Sequence, residues 1–257
     1  MRDLVERSYF VVCLALGRVL RSARYSNTQI VREHGEHQVR KRRLSYAPLL
    51  IWLSGPLVRI LDSGVRFLPR RDWEERERRM YWSLFGTAIR IDAGGTLVLP
   101  RLAGQTLATL LDDPNLEESV RRRAIERSVI ALAELHHLGF THGDAMAENV
   151  MVDLESGVAR WFDFETIHES NRPMAWRRTD DVRALLVTCL LRTVPEKVAE
   201  TLQLILDAYR DEGVTRLLAS NFSSALRRPL TFHLAQAGLS YWYFQEIARL
   251  LSERIGE

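Results

Sequence analysis

The sequence predicts an α+β fold: a small strand-bearing part with one long helix, a short connector, then a mostly helical part. Three observations predict it. Short runs bounded by turn residues, within 28–42 and 87–99, read as strand pairs. An apolar pattern at helical spacing (Val120, Ala124, Val129, Leu132, Leu135, Leu138) fills 116–138. Helical patterns then dominate at roughly 179–192, 195–210, 213–219 and 233–254. At 257 residues, 46% hydrophobic and 27% charged, the chain can bury a full core as one unit or two small lobes. The expected division is an amphipathic extension over 1–27, a strand-bearing unit over 28–102 and a helical unit over 103–257.

Taken in order, 3–23 reads as a helix with apolar residues on more than one face and arginines gathered at its end. Its apolar stretch, 9–17, is too short to span a bilayer, and Asp3 and Glu6 dilute the basic flank of a secretion signal. The segments 28–32 and 37–42 flank the turn Glu33-His34-Gly35-Glu36 as a hairpin. Residues 48–61 are rich in Leu, Ile and Trp, and Gly55-Pro56 divides them into two short helices. Because basic amphipathic helices dock on anionic lipid, 3–23 and 48–61 suggest a peripheral contact at the inner face of the cell membrane.

Pro69 introduces a helix over 72–86, with Asp72 near its start and Gly86 as C-cap. Strands at 87–91 and 96–99 flank the turn Asp92-Ala93-Gly94-Gly95, and 100–104 connects them to a helix beginning at Gln105. Gly139 ends the 116–138 helix and delivers the chain to a loop. The apolar runs Val150-Met151-Val152 and Ala159-Arg160-Trp161-Phe162 then make a short hairpin.

The net charge of +3 does not point to nucleic acid. Of the 36 lysine and arginine residues only Lys41 and Lys197 are lysines, and runs such as Arg121-Arg122-Arg123 read as solvated faces. No basic patch is interleaved with aromatics as a base-stacking surface requires, so nucleic acid is not an expected partner. Cys13 and Cys189 lie in apolar helical contexts without a C-x-x-C or Cys/His cluster, which fits buried thiols in a reducing, cytoplasmic setting.

Chemistry is concentrated in Thr141-His142-Gly143-Asp144-Ala145-Met146-Ala147-Glu148-Asn149 and in Trp161-Phe162-Asp163-Phe164. An Asp, an Asn five residues later and a second Asp nineteen residues after the first surround the expected hairpin. That arrangement brings three oxygen-bearing side chains to one end of it. Such a set suits Mg²⁺, which takes one or two carboxylates plus substrate phosphates. A plain polar turn would use the same residue types. The combination with hydrophobic–Asp–Phe at hairpin distance favours the metal-and-base reading.

These motifs resemble the small atypical kinases of the lipopolysaccharide-kinase type (Kdo and heptose kinases) and the RIO type, with aminoglycoside phosphotransferases as relatives. The His-Gly-Asp loop, Asp163-Phe164-Glu165 in place of Asp-Phe-Gly, and the short tail after it carry the likeness. It covers about 28–192 and is sharpest over 136–185. The resemblance implies a bilobal protein-kinase-like fold that moves the γ-phosphoryl of ATP, with Mg²⁺, to a hydroxyl acceptor, a sugar or lipid-linked glycan being favoured. It implies Asp144 as catalytic base, Asn149 and Asp163 as Mg²⁺ ligands, and His142 as support for the loop backbone. Asp181, or its neighbour Asp180, would brace the loop from the following helix. The connector from Leu99 through Arg101 to Leu102 would offer backbone groups to adenine.

The family's phosphate-anchoring lysine lies on a strand before the long helix and pairs with a helix Glu. Lys41, the only lysine in the N-terminal half, sits in Val39-Arg40-Lys41-Arg42, which reads as a strand. A compact ammonium acts on phosphate as a point charge where a broad guanidinium fork fits poorly. Glu77 is the favoured partner, because Met80, Tyr81 and Leu84 follow at core-facing spacing; Glu74, one turn earlier, is the runner-up. The chain departs from the family in lacking G-x-G-x-x-G, and only Gly35 stands where that loop belongs. A protein Ser/Thr acceptor and a nucleotide-binding pseudokinase acting as an interaction module compete with the glycan reading. An aminoglycoside-type enzyme would need an acidic acceptor pocket, and no concentrated acidic cluster follows Glu169.

Overall fold

The computed structural model describes residues 26–33, 36–47, 49, 64–92, 94–223 and 240–256. The helix expected at 3–23, nearly all of 48–61 and the turn glycine Gly35 lie outside the described residues, and with them the segments expected to meet a membrane. Within the described residues the fold is α+β, an antiparallel sheet region joined to a helical part.

Strands β1 (Ser26–Glu33) and β2 (Glu36–Arg43) form the expected hairpin. After β3 (Val65–Phe67), helix α1 (Arg70–Phe85) leads to β4 (Arg90–Ile91) and β5 (Thr96–Pro100). The sheet order is β1-β2-β5-β4, with Lys41 opposite Leu97 and Val39 opposite Leu99. The strand expected at 87–91 contracts to two residues because its first part closes the preceding helix. Gly86, in the left-handed region, donates its N–H to Trp82 at 3.0 Å, and Thr87 donates to Tyr81 at 3.4 Å.

Helix α1 carries buried Trp73, Glu77, Met80 and Tyr81 on one face, the four-then-three spacing of a core-facing stripe. Trp73 and Tyr81 pack with Leu68, Ile89, Leu97 and Leu99 beneath the sheet, whereas Met80 joins the core of the helical part. One helix therefore contributes to both cores.

The helix expected from Gln105 begins two residues later. Gln105 and Thr106 form β6 (Gln105–Thr106), paired with Val152 and Met151, and the Thr106 hydroxyl accepts from the Thr109 N–H at 3.1 Å to start α2 (Leu107–Leu111). Just before it, Gly104 has φ +96, and a Cβ there would lie 2.1 Å from the Val152 carbonyl oxygen. That neighbour is backbone within a ladder and cannot step aside. Gly104→Ala is expected to lose at least about 2 kcal/mol by urea titration. Gly139→Ala, at φ +81 with nothing within 4 Å, supplies the comparison and is expected to lose only about 1 kcal/mol.

The helical part comprises α3 (Glu118–His137), the hairpin β7 (Val150–Asp153) and β8 (Val158–Trp161), and strand β9 (Thr166–His168). Helices α4 (Met174–Leu190), α5 (Val198–Tyr209), α6 (Glu212–Phe222) and α7 (Tyr241–Ile255) follow. Leu132, Leu135, Leu185, Leu186, Ile205, Leu218, Ile247 and Leu251 centre its core. The expectation of helices throughout the region after Asp163 is corrected here. Thr166–His168 pairs antiparallel with β3, and α4 starts at Met174 rather than near 179. A three-residue strand leaves no periodic trace, and its partner lies far upstream. Among the described residues no helix is long and apolar enough to cross a membrane.

Candidate active site

Helix α3 ends where Gly139 donates to His136 and Phe140 donates to Leu135, turning the chain into the 141–149 loop. The loop is gripped by Asp181, fully buried on α4, whose carboxylate accepts from the His142 N–H at 2.7 Å and the Gly143 N–H at 2.8 Å. His136 completes the grip: its Nε2 lies 3.0 Å from the Asp181 carboxylate and its Nδ1 2.7 Å from the Tyr209 hydroxyl. Burial opposes the charge on Asp181, but His168, His136 and His142 outweigh it and hold the carboxyl well below its usual range. Asp180 faces His168, 3.1 Å away, and pairs with Arg183. Of the two adjacent acids, Asp181 is the one on the loop.

His142 lies across the loop. Its Nε2 donates to the Phe162 carbonyl at 2.9 Å and its Nδ1 accepts from the Asp144 N–H at 3.3 Å. Burial holds this imidazole down to about 4, so it is neutral and has one N–H to give, as these two bonds require. The β7–β8 ladder aligns Val150 with Trp161, and Phe162 N–H continues it by donating to the Asn149 carbonyl at 3.0 Å. The next residue, Asp163, therefore emerges beside Asn149. Asn149 Nδ2 donates to the Asp144 carbonyl at 2.8 Å and to Asp144 Oδ2 at 3.0 Å. Burial, then the Asp163 carboxylate, push Asp144 up to about 7. Asp163 takes φ +67, a left-handed conformation uncommon outside glycine and of the strained kind that collects at functional sites.

That turn directs Asp163 at Lys41. The buried Lys41 ammonium on β2 contacts the Asp163 carboxylate, lies 3.4 Å from Glu77 Oε1 and 2.8 Å from Glu165 Oε1, and faces the Trp73 ring at 5.4 Å. Burial works against its charge, but the Asp163, Glu77 and Glu165 carboxylates prevail and raise it above the ordinary lysine range. Glu77 Oε1 also accepts from Trp73 Nε1 at 3.2 Å and from the Phe164 N–H at 3.1 Å. Glu74 turns instead to Arg70 on the exposed face, at 2.7 Å. Leu99 sends its side chain into the sheet core, so only its backbone is available to a ligand. The β2–β5 ladder ends at Pro100 and the β6–β7 ladder begins at Gln105, leaving the backbone of Arg101 and Leu102 in neither.

Three residues here were not singled out from sequence. Glu165 bridges Lys41 and Arg43, the latter at 3.3 Å, and those two cations hold it below its ordinary range against the effect of burial. Arg43 lies on the same face of β2 as Lys41, over the Trp73 ring at 4.9 Å. Arg76 reaches the loop carbonyls from α1. The alternation Lys41/Arg43 against Asp163/Glu165, both two apart, is the one sequence signal for the first two.

Four carboxylates (Glu77, Asp144, Asp163, Glu165) thus share a centre with three cations, Lys41 and Arg43 paired to three of them and Arg76 near Glu77, so it is short of positive charge. Burial accordingly pushes Glu77 and Asp163 upward as it does Asp144. The Asp163 carboxylate and Asn149 Oδ1 are hard oxygen donors on residues that the β7–β8 hairpin brings together, the kind Mg²⁺ takes along with phosphate oxygens and water. Among the described residues no group of three or more His, Cys, Asp or Glu is placed to hold a metal ion by itself.

No protein-family model matches the chain, and no curated protein matches it either. Among solved structures it is similar to the bifunctional kinase-methyltransferase WbdD, at 19% identity and a TM-score of 0.41, over 87% of this chain and 46% of that one. The chain thus spans less than half the length of that protein. A likeness this loose leaves the functional reading to the site itself.

Proposed function

We propose that the chain is an ATP- and Mg²⁺-dependent phosphotransferase of bilobal, protein-kinase-like organisation, acting on a hydroxyl acceptor. The observation that carries this reading is the meeting of Lys41, Glu77 and Asp163, from a strand, a helix and a distant loop, beside the Asp144–Asn149 pair. Buried ion pairs of this kind are costly to assemble, and a functional task is the better reason for one than stability.

In this reading the acceptor oxygen bonds to the γ-phosphorus of ATP as the bond to the bridging oxygen breaks and ADP leaves, and Mg²⁺ would supply positive charge to the phosphates. Lys41 holds phosphate oxygens, oriented by Glu77. Asn149 Oδ1 and Asp163 would hold the metal. Asp144 orients the acceptor hydroxyl and takes its proton at a carboxylate oxygen, with its own position fixed by Asn149 Nδ2. Backbone groups around Leu99, Arg101 and Leu102 receive the adenine. Most of the acceleration comes from positioning and charge stabilisation. The favoured acceptor is a sugar or lipid-linked glycan at the cytoplasmic face of the membrane, with 3–23 and 48–61 as docking segments.

The test is Mg·ATP consumption and phosphoryl incorporation by wild type and Lys41→Met against lipid-glycan, sugar and Ser/Thr-peptide acceptors. Glycan-dependent consumption that Lys41→Met abolishes is the expected result. Labelling of peptide alone moves the acceptor to protein. Thermal stabilisation by nucleotide without turnover on any acceptor favours the pseudokinase reading, and the absence of both sinks the proposal.

A further inference from the structure

Helix α1 reaches the site twice, from adjacent residues. Glu77 turns toward Lys41 and the Phe164 N–H. Arg76 turns the other way, its Nη2 donating to the Thr141 carbonyl at 2.7 Å and, more weakly, toward the His142 carbonyl at 3.4 Å. Its guanidinium lies 5.9 Å from the centre of the Phe164 ring, whose other neighbour is the His142 ring at 4.8 Å. Of the other arginines of this helix, Arg70 and Arg78 pair with Glu74 and Glu75 at the surface, and Arg79 lies 5.2 Å from the centre of the Phe140 ring. Arg76 is half-buried, and burial lowers it only to about 10, so it stays charged at neutral pH.

We infer that Arg76 is a positioning residue that locks the Asp144 loop to the helix carrying Glu77, so that the phosphate-holding and acceptor-orienting halves of the site form one rigid unit. The inference rests on the phosphotransferase reading for its catalytic consequence. The loop is then held from two sides. Asp181 takes the N–H groups of His142 and Gly143, and Arg76 takes the carbonyls of Thr141 and His142. Met80, one turn on, is fixed in the helical core, and β3–β9 pairing fastens the chain on both sides of this contact. A charged donor to carbonyls in a partly dry setting makes the stronger class of hydrogen bond, and here the one Nη2 serves the Thr141 carbonyl first and the His142 carbonyl more weakly.

The experiment compares Arg76→Met and Arg76→Lys with wild type by steady-state kinetics and by amide hydrogen exchange in the full chain. Arg76→Met is expected to lower kcat roughly ten- to a hundredfold, with nucleotide KM changed less than about threefold, because Glu77 keeps its other partners. Arg76→Lys recovers part of kcat. Exchange in 140–146 speeds up by roughly tenfold or more while α4 and β5 are unchanged. Unaltered exchange over 140–146 in Arg76→Met overturns the inference, as does a loss of protection spread evenly over the protein. If wild type turns over no ATP, the proposed function fails, and the exchange measurement still decides the role of Arg76. Should Arg76→Met not fold, Arg76→Lys carries the same exchange comparison.

Discussion

Asp144→Asn is expected to lower turnover by roughly 10²–10⁴-fold while leaving the protein as stable as wild type or more so. An amide keeps the shape and can still bond Asn149, but it cannot take the acceptor's proton. The stability forecast follows from the electrostatics of the centre. Burial and Asp163 push Asp144 up to about 7 from its ordinary 3.8, so its charged form is disfavoured in the folded state. The folded protein therefore loses stability as pH rises through this window, and the amide removes that loss. His142 has the opposite slope. Its imidazole is held down to about 4 from 6.5, so the unfolded chain binds the extra proton between those values and stability falls as acid is added. In wild type the two slopes oppose each other over the shared window. Removing Asp144 exposes the second, and Asp144→Asn is expected to lose up to about 3 kcal/mol between neutral pH and about pH 4, where wild type is flatter. Partial exposure of Asp144 to solvent trims its own share. Urea midpoints measured across this range check it, and identical slopes for the two proteins would show that Asp144 is not perturbed.

Asp181→Ala is expected to act through structure instead, with a loss of about 3–5 kcal/mol. The carboxylate is fully buried and receives the His142 and Gly143 amides and the His136 ring. Truncation strands these donors where no water reaches, and the loop loses the side of its grip that sets its backbone. Turnover should fall with the folded fraction and beyond it. Asp181→Asn, which keeps one acceptor oxygen, should recover part of both. Denaturation midpoints that match wild type would mean that the loop does not depend on this brace. The pair of variants separates the two kinds of acid in the site: one whose removal costs chemistry and spares the fold, and one whose removal costs the fold first.

Much of the geometry was legible locally. The Asn149–Asp163 proximity follows from a hairpin of known register, and the stripe Trp73–Glu77–Met80 of α1 follows from helical spacing. Lys41 stood out because a chain built on arginine placed a lysine on a strand, and it lies within reach of Glu77, as that helical phase suggested. Arg76 was hidden for the converse reason. In a helix of mixed Glu and Arg every arginine looks solvated, and only packing reveals which one leaves the surface. The short strands β6 and β9 were misread or missed because two or three residues carry no period and their partners lie far away in the chain.

The sequence by itself determined the α+β order, the described hairpins and long helices, and the grouping of Asp144, Asn149 and Asp163 around one hairpin, because periodicity, turn residues and spacing act over a few neighbours. Tertiary structure alone decided that Asp181 rather than Asp180 takes the loop amides, that Glu165 and Arg43 join Lys41, and that Arg76 ties α1 to the loop. Adjacent residues on a helix differ by about 100° in direction. Which of them faces a buried partner is therefore set by how the helix rolls against its neighbours, a quantity fixed by the whole core.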